Sequence, residues 1–135
     1  MVRILALDYG SARCGCAVSD PTGTLATPVE PVLRPATRKG FARVLGVIRE
    51  RGIKRVVVGL PLGLSGADTA QTVEVREWAA RLEEALAGRI PVDLYDERFT
   101  TAIAARTGGE GSEDSRAAAV LLEDYLARHG HEVRA

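Results

Sequence analysis

RILALDYGSARCG, residues 3–15, sets four apolar residues in a row directly against an acid. Ile4, Leu5, Ala6 and Leu7 make a short continuous apolar run, the mark of a strand covered on both faces; a strand with one wet face would alternate. Asp8 ends the run, and Gly10-Ser11 supplies a turn that reverses the chain. A carboxylate is out of place at the end of a strand built for burial. It makes sense if the strand ends at a cleft and its rigidity aims Asp8 into the opening, with Gly10 letting a substrate backbone come close. Taken alone, Asp8 also suits an Asx turn, its side chain accepting backbone N–H groups from Gly10 and Ser11.

Outward from this strand, Cys14 to Ser19 read as a second strand. Asp20-Pro21-Thr22-Gly23 is a turn, and residues 24–33 form a third strand whose Pro28 and Pro31 mark it as an edge. Short turns between three consecutive strands imply an antiparallel meander. The apolar period then changes. Phe41, Val44, Leu45 and Ile48 stripe a helix over about 37–51 that Gly52 can close, and its other face is Arg38, Lys39, Arg43, Arg49 and Arg51. Residues 54–59, KRVVVG, are a fourth strand. Val75, Trp78, Ala79, Leu82 and Leu86 stripe a second helix closed at Gly88. Pro91 to Tyr95 form a fifth strand, a short helix starts near Thr100, and Ala118, Leu121, Leu122 and Tyr125 stripe a last helix over about 115–129.

Strands one, four and five are separated by helices and so pair in parallel, because a crossover helix returns the chain to the same edge. The expected architecture is α/β: a mixed five-stranded sheet, part antiparallel meander and part parallel, with helices on both faces and strand one at its centre. That is a ribonuclease H-like layout, and residues 1–135 make one such domain.

The composition agrees with a globular protein, 46% hydrophobic and 27% charged. No apolar run approaches the roughly 18 residues of a membrane span, and the N-terminal run is too short for a signal peptide, so a cytoplasmic protein without membrane contact is expected. Cys14 and Cys16, the only cysteines, project from one strand face and are expected to stay reduced and buried. The net charge of zero conceals a division. Residues 1–67 hold ten Lys or Arg against four acids, and residues 68–135 hold eight against fourteen. Such a split fits a polyanion-binding face beside an acidic site, and equally fits two halves that attract each other.

In an open α/β sheet, ligands bind beyond the carboxyl ends of the parallel strands. Asp8 ends strand one, Glu97 lies just past strand five, and Asp114 stands at the start of the last helix. Each has a plainer use, Glu97 as a solvated partner of Arg98 and Asp114 as a helix N-cap. Three carboxylates meeting in one cleft would repel unless a cation stood between them, and Mg²⁺ or Mn²⁺ is the oxygen-seeking ion such a site takes. Two ions at such a site, present together with substrate, support phosphodiester hydrolysis. GLPLGLSG, residues 59–66, could offer backbone N–H groups to phosphate, although it lacks the Gly-Lys-Ser/Thr ending of a nucleotide-binding loop. His129 and His131 are expected in a frayed, solvated tail.

Four segments together resemble the YqgF/RuvX family of Holliday-junction-resolvase-like proteins, described as pre-16S rRNA nucleases. LALDYGSARCGCAVSD is similar to the family's first motif, VVVGLPLGLSG to its Val-Gly-Leu-Pro-Leu segment, DERFTT to its Asp-Glu-Arg segment, and DSRAAAVLLEDYL to its closing helix. The resemblance covers nearly the whole chain. It implies a divalent-metal nuclease with Asp8, Glu97 and Asp114 as catalytic metal ligands, and Gly10, Arg13, Gly59, Pro61, Gly66, Arg98 and Thr101 shaping the substrate groove. The expected partner is structured RNA, a precursor of 16S rRNA, with a DNA junction as the alternative substrate. A non-catalytic nucleic-acid-binding module is a third reading. Monomer and homodimer are both compatible, a junction resolvase requiring the dimer. Two departures stand out: GGEGSE, residues 108–113, is a shortened loop without a basic residue, and Gly63 and Ser65 replace polar Asn and Asp.

Overall fold

The structure, a computed structural model, describes residues 2–23, 25–97 and 113–133, the side chains at 113, 114 and 130–133 falling outside that set. Strands β1 (Ile4–Asp8), β2 (Arg13–Ser19) and β3 (Ala26–Leu33) are followed by helix α1 (Arg38–Glu50), strand β4 (Arg55–Leu60), helix α2 (Ala70–Leu86), strand β5 (Val92–Asp96) and helix α3 (Glu113–Val133). The sheet order is β3-β2-β1-β4-β5. β1 pairs antiparallel with β2 and parallel with β4, β2 pairs antiparallel with β3, and β4 pairs parallel with β5. This is the expected mixed sheet with β1 at its centre.

Alternation along β1 divides the interior in two. Leu5, Leu7 and Tyr9 face α1 and α2, together with Cys14, Cys16, Val56 and Val58. Ile4 and Ala6 face α3, together with Ala17, Val57 and Tyr95. All four residues of the opening apolar run are fully buried because both sheet faces are covered. The two cysteines are free thiols in the first core, as expected.

Helix starts are fixed by threonines. Thr37 Oγ1 accepts the Gly40 N–H at 3.1 Å to open α1, and Thr69 and Thr72 form a reciprocal capping box at α2. The lone tryptophan, Trp78 of α2, lies between the Tyr9 and Phe41 rings at 4.9 and 6.3 Å and donates its indole N–H to the Pro35 carbonyl at 3.0 Å.

The α3 side carries a different joint. Between Cys14↔Val32 and Cys16↔Val29, β2 contributes one residue and β3 contributes two, Glu30 and Pro31, so the ladder is bulged. The buried Ser115 hydroxyl closes the gap. It accepts the Cys16 N–H at 3.3 Å and donates to the Val29 carbonyl at 2.7 Å. One α3 side chain thus stands in for a ladder hydrogen bond and pins the start of that helix to the sheet.

Three boundaries differ from expectation. β4 runs one residue past the expected 54–59, because the parallel ladder continues from Gly59 opposite Tyr95 to Leu60 opposite Asp96. Helix α3 begins at Glu113 and continues to Val133, so Asp114 is its second residue and the tail is helical rather than frayed. His129 is half-buried rather than fully solvated: its ring packs at 4.8 Å on Tyr125, one turn earlier, and at 6.0 Å on Tyr95. The short helix expected near Thr100 lies outside the described residues.

Candidate active site

Strand parity decides which side chains can meet. Asp8 has the same parity as Ile4 and Ala6, and therefore projects on the α3 face of the sheet. Gly59 shares the parity of Val57, and Glu97 that of Tyr95, so these two point the same way. The register carries Leu7 against Val58 and Gly59 against Tyr95, which sets Gly59 level with Asp8 and between β1 and β5. Three segments far apart in sequence thus converge on one edge and one face.

Gly59 is the enabling residue. A methyl group there would stand 2.2 Å from Glu97 Oε1 and 2.7 Å from its carboxyl carbon. The Glu97 side chain occupies the space a β-carbon would fill, and through that gap it crosses β4 and shares a hydrogen bond with Asp8. Burial above all, then the hydrogen bond and charge of Asp8, and finally the charge of Asp96, push the Glu97 carboxyl up to about 9 from the ordinary 4.5. Without a cation, the two acids therefore hold one proton between them at neutral pH, as closely placed carboxyls do.

Asp114 is placed through its neighbour. Ser115 is bound to Cys16, and Cys16 pairs with Leu7, one residue before Asp8. The second residue of α3 therefore sits at the carboxyl end of β1 on the face that carries Asp8 and Glu97. Its side chain is not among those described. Among the described residues, no three His, Cys, Asp or Glu side chains form a group that could hold a metal ion.

The other expected site residues gather around this edge with distinct local reasons. Arg13 opens β2, is exposed, and lies beyond the end of β1. At Gly10 a methyl would strike the Arg13 carbonyl at 2.7 Å, so what demands glycine there is the tight hairpin itself. The Pro61 carbonyl accepts the Thr72 hydroxyl at 2.5 Å, which ties the segment after β4 to α2. Gly66 turns that segment back at φ 88° and donates its N–H to the Gly63 carbonyl at 2.8 Å. Arg98 and Thr101 lie outside the described residues.

Sequence reading missed two contributors. Ser115 shows itself only as a serine beside Asp114, and Asp96 only as a second acid beside Glu97. Tyr9, the residue after Asp8, turns to the opposite face and donates its hydroxyl to Glu74 on α2 at 2.6 Å.

Fold and edge together define the class, a ribonuclease H-like α/β protein with paired carboxyls at the end of its central strand. Solved structures agree on the fold. The RuvC protein of Thermus thermophilus, in complex with a Holliday junction substrate, superposes with a TM-score of 0.61 at 18% identity, covering 96% of this chain and 97% of that one. The yeast mitochondrial Holliday junction resolvase Ydc2 gives 0.56 at 10% identity, covering 96% of this chain and 81% of that one.

Sequence relatives are nearer. The family described as "RuvX: Holliday junction resolvase" matches residues 2–128, and the chain belongs to it. A protein of Koribacter versatilis named "Putative pre-16S rRNA nuclease" is 42% identical over 137 residues, covering 95% of this chain and 88% of that protein. One of the same name from Clavibacter michiganensis is 45% identical over 132 residues, covering 90% and 81%.

Proposed function

We propose that this chain is a divalent-metal-dependent nuclease that hydrolyses phosphodiester bonds in structured RNA, in maturation of the 5′ end of 16S rRNA. The observation that carries the reading is the Asp8–Glu97 pair, half-buried and hydrogen-bonded on one sheet edge and made possible by Gly59. The RNA substrate is favoured by the names of the sequence relatives.

The donor set fits Mg²⁺ or Mn²⁺. It is made of carboxylate oxygens on rigid strand ends, and a shared proton marks the place where positive charge is wanted. Asp8, Glu97 and Asp114 are the residues that would hold the metal, two ions when substrate is bound. The chemistry such ions supply when bound is activation of water to hydroxide and stabilisation of charge on the leaving oxygen. The chain's own residues do the positioning. Asp8 is held by its pairing with Gly15 on β2 and, one residue earlier, by that of Leu7 with Val58 on β4; Gly59 leaves room above β4, and Ser115 anchors the helix that bears Asp114. Arg13, Gly10, Pro61, Gly66, Arg98 and Thr101 shape the groove through which the phosphodiester reaches that edge.

The test is incubation with structured RNA and with DNA junctions, with and without Mg²⁺ or Mn²⁺, wild type beside Asp8→Asn. Cation-dependent cutting by the wild type and none by the variant is expected. Equal cutting by both removes Asp8 from the mechanism. A DNA junction resolvase is the second reading, favoured by the family description and by the fold neighbours. It requires a two-fold dimer, and junction cutting by a strict monomer would dismiss it.

A further inference from the structure

The edge of the sheet farthest from β5 carries a second feature. β3 is the terminal strand, and α1 runs beside it on the face opposite the acid pair. Between them lies an open groove of about 880 Å³ lined by Leu33, Arg34, Lys39, Arg43, Gly46 and Arg49, among others. All four of its cations are exposed. Its two acids are Glu30 and Glu50. Only Glu50 is ion-paired to a lining cation, Arg43, at 3.5 Å, and with both side chains more than half exposed that pair is weak.

Gly46 concentrates the charge. A methyl on it would lie 3.9 Å from Arg43 Nη1, 3.9 Å from Glu50 Oε1 and 4.0 Å from Arg49 Nη2, so two guanidinium groups and one carboxylate reach over one dent in the helix and leave it net positive. The surrounding sequence is as one-sided: from 31 to 67 there are eight Lys or Arg and a single acid. A protein partner would call for an apolar centre, which protein interfaces build while depleting lysine. Here Leu33 is the one large apolar side chain well exposed, and planar guanidinium forks are suited to phosphate.

The groove also has an entrance from the catalytic edge. Arg34 donates its N–H to the Ala12 carbonyl at 2.9 Å, and Leu33 pairs with Arg13. The near end of the groove therefore abuts the β1–β2 hairpin that follows Asp8. Two strand spacings separate β3 from β1, roughly 10 Å.

We propose that the α1–β3 groove is a second nucleic-acid contact, which receives the phosphodiester backbone flanking the bond presented to the acid pair. The chain leaves the α3 face, passes the hairpin at Arg13 and lies along Arg34, Lys39, Arg43 and Arg49. This rests on the nuclease reading, and the experiment separates the two.

Binding of a fluorescent RNA hairpin and of a four-way DNA junction is measured against salt, in chelator and on the Asp8→Asn background. Lys39→Glu/Arg43→Glu, at two cations that lie in the groove alone, is compared with Lys54→Glu/Arg89→Glu, exposed cations that precede β4 and β5 and line a separate cavity. Losing two phosphate contacts lowers the slope of log K against log salt by about 2 and weakens binding about tenfold or more near 0.1 M salt. The control pair should leave the slope near that of its parent. Equal slopes for the two pairs overturn the groove and leave the nuclease reading standing. A change in oligomeric state with unchanged slope assigns the surface to a second copy and overturns it too. If the parent binds neither probe, the nuclease reading and the groove fall together.

Discussion

At position 59 the functional content is a missing β-carbon. Gly59→Ala places a methyl 2.2 Å from Glu97 Oε1 and must expel that carboxyl from Asp8. Alanine costs a strand less than glycine does, so the variant should fold. Displacing a reacting group by about 1 Å costs on the order of 100-fold in rate, and a loss of that size is expected, with an unchanged circular dichroism spectrum as the check. Glu97 makes a pH prediction. Its carboxyl is raised in the folded chain, so the folded state binds more protons than the unfolded one between the ordinary 4.5 and about 9. The stabilisation is complete below the lower value and is lost as pH climbs through the upper one. In chelator, urea midpoints should fall over that interval for the wild type and fall less for Glu97→Gln. Added Mg²⁺ should flatten the wild-type profile by replacing the shared proton. Asp8 was legible in the sequence because an acid closing an apolar strand has a local signature. That Glu97 would share its edge could be expected from strand order, but its reach across β4 through the gap at Gly59 could not, since that depends on register.

Among the elements, α3 has the most unusual attachment. Its Ser115 hydroxyl repairs a bulged ladder, so Ser115→Ala leaves the Cys16 N–H and the Val29 carbonyl without that bridge in a buried place. Stranding such groups costs about 1–3 kcal/mol, to be read from urea unfolding, and Ser115→Thr should recover part of it. A destabilisation near zero would mean that the sheet closes without the helix. The elements themselves were largely legible. Continuous apolar runs marked buried strands, a 3.6-residue period marked α1, α2 and α3, and Pro28 and Pro31 marked β3 as an edge. Pro31 sits in the bulge, where its lack of an N–H does no harm. What escaped the sequence were the ends. Leu60 falls in the glycine-rich segment by composition yet is held in β4 by its pairing with Asp96, and His129, read as part of a solvated tail, packs on Tyr95 and Tyr125.

On the scale of the whole molecule, the basic and acidic halves of the chain meet in places, as where Arg55 pairs with Asp93 at 2.7 Å, and stay apart at the β3 edge. The basic residues of α1 line the β3 side of the sheet, and the acids that act on the site come from β1 and from the end of β5. The sequence could show this imbalance without saying whether the halves neutralise each other, because that depends on which edge each element occupies. Among the described residues, no helix is long and apolar enough to cross a membrane. The three-ring stack adds something of another kind. Trp78 is the only indole in the chain, 4% exposed, and the ring resting on it belongs to Tyr9, the residue bonded to Asp8. The protein thus contains its own optical gauge: titrating in Mn²⁺ should change the tryptophan emission of the wild type and leave that of Asp8→Asn flat, so occupancy can be followed without a dye and without waiting for a product.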